Sequence, residues 1–326
     1  MGRNLLAIIT NTFTETLRQP IYGVVVAATI LLLVLSPSLS MFTMDDDDML
    51  LQDVGLSTLL LAGLLLGVFA CATVVTEEIE NKTALTVISK TVGRSTFVLG
   101  KFFGVVGAVL LAEYLLSLVY LIVCRHGVLQ MAGEPRDMVT VTLGSLAGAL
   151  AFGIALAGNY FYRWRFGSTA ILLGTLTFSA AIGVMCLLDP QWQFNPAGNN
   201  LQWELWRPMV LMVIGVLILT AVALLVAMRF GMIVTLIVCA GVFVLGVMVE
   251  YWLGPVARQG QTWWAYLAWV PLTLVPSLSF CIVTNAVYQG ATVPLNYIGQ
   301  VGLYALAYVS ACVLFAIGLF REREIG

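Results

Sequence analysis

Runs of roughly twenty apolar residues recur along the chain, at 21–43, 54–75, 102–123, 139–160, 168–188, 208–228, 231–249 and 295–319. A helix needs about 20 such residues to cross about 30 Å of hydrocarbon, so the pattern predicts eight transmembrane helices. Among them only 102–123 contains a charge, Glu113. A further apolar stretch, 263–289, is broken by Pro271 and Pro276. Two prolines five apart interrupt helical hydrogen bonding, and the stretch predicts a re-entrant or interfacial pair of short helices. Arg229 and Phe230 are nearly all that separates 208–228 from 231–249. A very tight hairpin and a single kinked element both satisfy that pattern.

Two polar-patterned segments lie outside the spans. Residues 4–18 place Leu5, Ile9, Phe13 and Leu17 at intervals of four, with Asn4, Asn11, Thr14, Glu15 and Arg18 on the other side. This predicts an amphipathic helix over 3–19 lying in the membrane interface, a pattern that an anchor for a partner shares. Gln19-Pro20 ends it, and Pro20 can open the first span. No small-residue cleavage site follows the first apolar run, so no removable signal peptide is expected. The second segment, 76–101, sets Glu77, Glu78 and Glu80 ahead of Lys82, Lys90, Arg94 and Lys101. A helix over 77–90 would place the glutamates at its positive end and Lys90 at its negative end. Gly93 would then break it, and Ser95 would cap the helix of the third span.

Composition narrows the class. The chain has 326 residues, 60% hydrophobic and 10% charged, with a mean hydropathy of +0.99. Soluble domains run near 25% charged, so this is an all-α polytopic membrane helix bundle forming a single domain, 1–326. A net charge of −2 and a pI near 5.4 exclude a nucleic-acid role, which needs clustered cations to neutralise phosphates. With eight spans and the N-terminus inside, Arg3, Arg18, Lys82, Lys90, Arg94, Lys101, Arg163, Arg165, Arg229, Arg321 and Arg323 are cytoplasmic. Only Arg125, Arg136, Arg207 and Arg258 fall outside, in accord with the positive-inside rule. A ninth full span would weaken that asymmetry. Both termini are therefore expected in the cytoplasm.

Little catalytic chemistry is present. Six cysteines stand singly and most lie in apolar runs, where cysteine acts as a small hydrophobe. One histidine, His126, leaves no His-based metal site or relay, and no metal is expected. Asp45 to Asp48 lack the spaced ligands and glycine turn of a calcium site and are expected to be a solvated stop after the first span. No phosphate loop occurs: Gly100-Lys101 is followed by Phe102. No catalytic residues and no enzyme activity are expected.

Within the bilayer, Glu113 is the candidate functional residue, because a carboxylate there costs about 2.5–3.5 kcal/mol. It would serve a substrate path, a proton site or a contact between halves, or be held neutral by Tyr114, Ser117 or a neighbouring helix. Gly63-x-x-x-Gly67 and Gly144-x-x-x-Gly148 allow close helix approach, within the chain or at a dimer seam.

Glu77-Glu-x-Glu80, Thr83, Lys90-x-Val92-x-Arg94 and Lys101, directly after the second span, resemble the cytoplasmic loop of the ABC-2 family of transporter permeases. Thr91 stands where that family usually has proline. The Arg229-Phe-Gly hairpin, the 275–280 stretch, Gly290-x-x-x-Pro294 and the ending Leu319-Phe-Arg-Glu-Arg-Glu-Ile-Gly326 look like one bacterial branch of it. The resemblance implies a permease subunit in the bacterial cytoplasmic membrane, pairing with a second permease half and with ABC ATPase subunits that carry the ATP and Mg. The 76–101 segment would be the coupling loop, and its ATPase contacts would be Glu77, Glu78, Glu80, Lys90, Arg94 and Lys101. The outer region 263–294 would hold short helices that narrow an external gate, with Pro276, Phe280 and Asn285 in it. Export is expected, since no docking motif of importers is apparent. The alternative is an ATPase-independent secondary transporter or a membrane scaffold. The absence of an internal repeat and the single mid-membrane charge weigh against a secondary carrier.

Overall fold

A computed structural model describes residues 2–40, 47–80, 93–128, 137–258, 272–284 and 291–322. Nine long helices occur among them: α1 (Gly2–Leu17), α2 (Pro20–Ser40), α3 (Asp47–Glu80), α4 (Arg94–His126), α5 (Met138–Tyr162), α6 (Phe166–Met185), α7 (Trp206–Ala227), α8 (Met232–Arg258) and α9 (Leu295–Glu322). All but α1 are long and apolar enough to cross a membrane. The eight predicted spans each coincide with one of these helices. Chain order puts α1, the α5–α6 turn and the α7–α8 turn at one end, the near face. The starts of α3, α5, α7 and α9 lie at the far face.

Helices α3, α4 and α7 are mostly buried, whereas α2, α5, α6, α8 and α9 leave most of their surface exposed. The exposed side chains are Leu, Ile, Val and Phe, the composition of a lipid-facing ring. Helices apolar all round are buried ones, and α7 fits this, with residues from Pro208 through Ala227 in the core. Small residues set the central spacing. The Cβ that Gly63 lacks would meet Glu113 and Val216, and the one that Gly67 lacks would meet Thr220. The Gly63-x-x-x-Gly67 face of α3 is thus spent within the chain, against α4 and α7. Gly144 and Gly148 approach Ile122 and Phe178 less closely, at 3.3 and 3.7 Å from the Cβ position.

The run 208–249 is the expected tight hairpin and not one kinked element, its two helices separated at 228–231, where Phe230 N–H bonds back to the Val226 carbonyl at 2.9 Å. Several other local expectations are corrected. Helix α8 continues past 249 to Arg258 with Pro255 inside it, well past the predicted span. No new helix starts at 77: α3 runs on through Glu80, so the three glutamates sit at a helix C-terminus. The chain leaves the apolar run without any helix-breaking residue, and the backbone hydrogen bonds simply continue. The next helix starts from Gly93 in extended conformation with no side-chain cap, so Ser95 does not cap it. Asp47 and Asp48 form the first turn of α3, where carboxylates complement the positive helix end. Asp47 is buried rather than solvated.

At the far face one cation organises three helix ends. Arg125, at the end of α4, is buried and its Nε donates to Asp137 Oδ2 at 3.1 Å. Nη1 and Nη2 donate to the carbonyls of Met185 and Leu188 at 2.9 and 3.0 Å. Asp137 also accepts from the Thr140 N–H and hydroxyl, capping α5. A buried charge pair survives only when its remaining donors and acceptors are filled, and here they are.

Candidate functional site

Near the near face, α1 is an amphipathic helix, as expected, but protein covers its inward side. Ile8 lies against Gly100, Thr12 and the Ile9 carbonyl against Gly104, and Phe13 against Gly107. The two helices therefore run alongside each other for about two turns on a stripe of glycines. Glu15 Oε2 and Lys101 Nζ form an ion pair at 3.3 Å across this seam. Lys101 is almost fully buried, with Phe97 beneath its ammonium at 5.9 Å. It braces α1 on α4 and presents no charge to a partner, which removes it from the surface set of contacts. Phe97 stacks on Phe320 of α9 at 5.5 Å, tying the last helix to the same end.

Of the other coupling residues, Arg94 is exposed at the first turn of α4. Glu77, Glu78 and Glu80 lie on the last turn of α3, and Lys90 lies outside the described residues. The Tyr22 hydroxyl, at the start of α2, donates to the Ala108 carbonyl at 2.6 Å. Below that level α4 continues from 107 back to Arg94, about 20 Å, flanked by α1.

Midway through the bundle, Glu113 is buried, as a carboxyl in this run has to be. Its Oε1 is enclosed by the α3 backbone at Gly63 and by Val216 of α7, without a hydrogen-bond partner. Tyr114 does not serve it, because its hydroxyl pairs with Ser179 at 3.0 Å on α6. Glu113 thus marks the seam where α3, α4 and α7 meet.

On the far side the chain between α8 and α9 dips into the bundle. Helical backbone at 272–274 gives way to an irregular stretch and a 3-10 turn at Leu278–Phe280. Tyrosines of α9 hold this stretch by its backbone. The Tyr308 hydroxyl donates to the Leu274 carbonyl at 2.9 Å, the Tyr304 hydroxyl accepts from the Ser277 N–H at 3.0 Å, and the Tyr297 hydroxyl donates to the Phe280 carbonyl at 2.7 Å. Tyr308 is thirteen residues into α9, about 20 Å along its axis, so the Leu274 carbonyl reaches that level, with its side chain on the exposed surface. Pro276 is buried with its carbonyl 2.6 Å from the Cβ position of Gly246, and Cys281 packs at Gly215. Irregular backbone at such depth needs protein cover, and these glycines let it in. Burial pushes the Cys281 thiol up to about 12. Phe280 is partly exposed, edge-on to Tyr304 at 6.2 Å, and Asn285 lies outside the described residues.

The Gly100-x-x-x-Gly104-x-x-Gly107 stripe and the spacing of Tyr297, Tyr304 and Tyr308 along one helix were signals open to a sequence reading. Their partners were not. Among the described residues no group of His, Cys, Asp and Glu could hold a metal ion. No protein-family model and no curated protein matches the chain.

Proposed function

We propose that this chain is the permease subunit of an ABC-type transporter in a bacterial cytoplasmic membrane, exporting its substrate at the expense of ATP bound and hydrolysed with Mg by a separate ATPase. One observation supports this most: α3 and α4, which adjoin in the chain at the near face, are the two longest helices among the described residues. They hold 34 and 33 residues, about 50 Å each against about 30 Å of hydrocarbon. A span that only crosses does not need that length. At the near face α4 is braced by α1 through the Lys101–Glu15 pair, which suits an element that receives force.

In this reading Glu77, Glu78, Glu80, Lys90 and Arg94 face the ATPase, their charges setting register in its groove. Lys101 acts from within, keeping α1 and α4 together. Nucleotide closure in the partner pushes on the α3–α4 end. The movement passes along α4 to the Glu113 seam and to α7, which packs on the dipping 274–281 stretch. That stretch, with Pro276 and Phe280, and Asn285 after it, is the external gate. A second permease half completes the path, and both chain termini are cytoplasmic.

The test is co-purification in mild detergent with a candidate ABC ATPase from the same genome. Wild type is expected to bring the ATPase down, and the double reversal Glu78→Lys, Arg94→Glu is expected to lose it while still inserting and folding. Equal recovery by the reversal would remove these residues from the contact. Absence of an ATPase with wild type would overturn the transporter reading.

A further inference from the structure

The far face carries a second feature, apart from the dipping stretch and independent of the proposed transport role. A cavity of about 300 Å³ opens where the first turns of α3 and α7 meet the chain ahead of α9. That volume is at the small end of ligand pockets. Gln52, Gln202, Glu204, Arg207 and Thr292 supply its polar walls. Trp203 and Trp206 stand exposed at the same level, the position indole rings take at a membrane–water interface.

The two charges in this cavity, the exposed Glu204 and the half-buried Arg207, are not paired with each other. Glu204 and Arg207 are three residues apart, a spacing that brings side chains together on a helix, yet they form no ion pair. Neither has an oppositely charged partner among the described residues. Elsewhere on the far face Arg125 is paired with Asp137 and Arg258 with Glu250. Arg207 is held in place all the same. Its Nη1 donates to the Val293 carbonyl at 3.1 Å, and its guanidinium lies 5.9 Å from the Trp206 ring centre. Its Nε is enclosed and has no acceptor. Nε, being enclosed, is out of a ligand's reach, so a group in the cavity meets the guanidinium through its Nη atoms. Gln52 Nε2 donates a hydrogen bond to Gln202 Oε1 at 2.9 Å, which leaves further amide donors and an acceptor on the two side chains.

A simple anion would meet Arg207 but be repelled by Glu204, and a simple cation the reverse. A ligand carrying both charges a few bonds apart satisfies the two together. We propose that this cavity binds a phosphoethanolamine group, the phosphate on Arg207 and the primary ammonium on Glu204. Arginine matches phosphate geometry with paired donors. An ammonium can donate hydrogen bonds to the Glu204 carboxylate, which a quaternary choline cannot. The group can come from a lipid headgroup at this level or from soluble phosphoethanolamine.

Native mass spectrometry on the purified, delipidated full chain in an uncharged detergent tests this with equimolar phosphatidylethanolamine, phosphatidylcholine and phosphatidylglycerol. Wild type should retain phosphatidylethanolamine preferentially. Arg207→Gln should cut that retention by about tenfold, the size expected for one charged hydrogen-bonded contact. Glu204→Gln should turn the preference toward phosphatidylglycerol, a switch that misfolding cannot produce and that decides the matter should the Arg207 variant fail to fold. Displacement of bound lipid by soluble phosphoethanolamine would assign the headgroup alone as the ligand. Persistence of the lipid would assign the membrane lipid. Equal retention of all three lipids by wild type, or an unchanged preference in Glu204→Gln, would overturn the proposal.

Discussion

Gly63 stands where any side chain would put carbon against Glu113 Oε1 and within 2.5 Å of a Val216 methyl. Adding one methyl there forces two helices apart or twists a buried carboxyl, and overpacking of this kind costs about 1–3 kcal/mol. Gly241 on α8 has nothing within 4 Å of its missing Cβ, so alanine there should gain helix propensity without a clash. Gly63→Ala is expected to lower the melting temperature in detergent and Gly241→Ala to leave it level or raise it. Equal effects at the two sites would show that the α3–α4–α7 seam is looser than described. Glu113 itself was legible as the one charge in the spans, because a carboxyl in hydrocarbon stands out on composition alone. Its neighbours were not legible, since glycine and valine at 63 and 216 are unremarkable in apolar runs.

At the scale of elements, the dipping stretch is held less by its own turns than by tyrosine hydroxyls of a neighbouring helix. Two prolines already foretold that 263–289 could not be a plain span. How deep it goes depends on where Tyr304 and Tyr308 reach across, a contact between residues about thirty positions apart. Cys281 reports on the latch. With its thiol pushed up to about 12 by burial, only about one molecule in ten thousand is thiolate at pH 8. In a protein whose other cysteines are alanine, maleimide labelling at 281 should be slow and should rise about tenfold per pH unit from 7 to 9. Tyr304→Phe and Tyr308→Phe should each speed it by freeing the backbone. Rapid labelling of the parent, or rates unmoved by either change, would mean that the stretch is not held this way. The 76–80 region gives the opposite lesson. Charge pattern alone suggested a fresh helix start, but nothing in it stops α3, and an unbroken helix keeps every backbone hydrogen bond.

For the molecule as a whole, eight spans put both chain ends on one face, and the stacking of Phe97 on Phe320 joins the starts and finishes of distant helices there. The proposed orientation, drawn from the bias of Lys and Arg, makes that face cytoplasmic. Tags at residues 1 and 326 are expected to resist external protease in intact spheroplasts, while a tag inserted after Gly198 is cut. Exposure of the C-terminal tag alone would mean that the 263–289 stretch crosses completely and that the count is nine.

Apolar run length determined the class of fold and the number of spans, though not the ends of α3, the start of α4 or the end of α8, because the cost of burying polar backbone and charge in hydrocarbon is settled residue by residue along the chain. Which helices lie at the centre was decided only by packing. α3 and α4 are less apolar than α8, yet they are enclosed and α8 is not. The same holds for the Lys101–Glu15 brace, the Arg125 clamp and the mutually unpaired Glu204 and Arg207 charges. Each depends on which side chains distant segments bring within a few ångströms, and hydropathy carries no record of those distances.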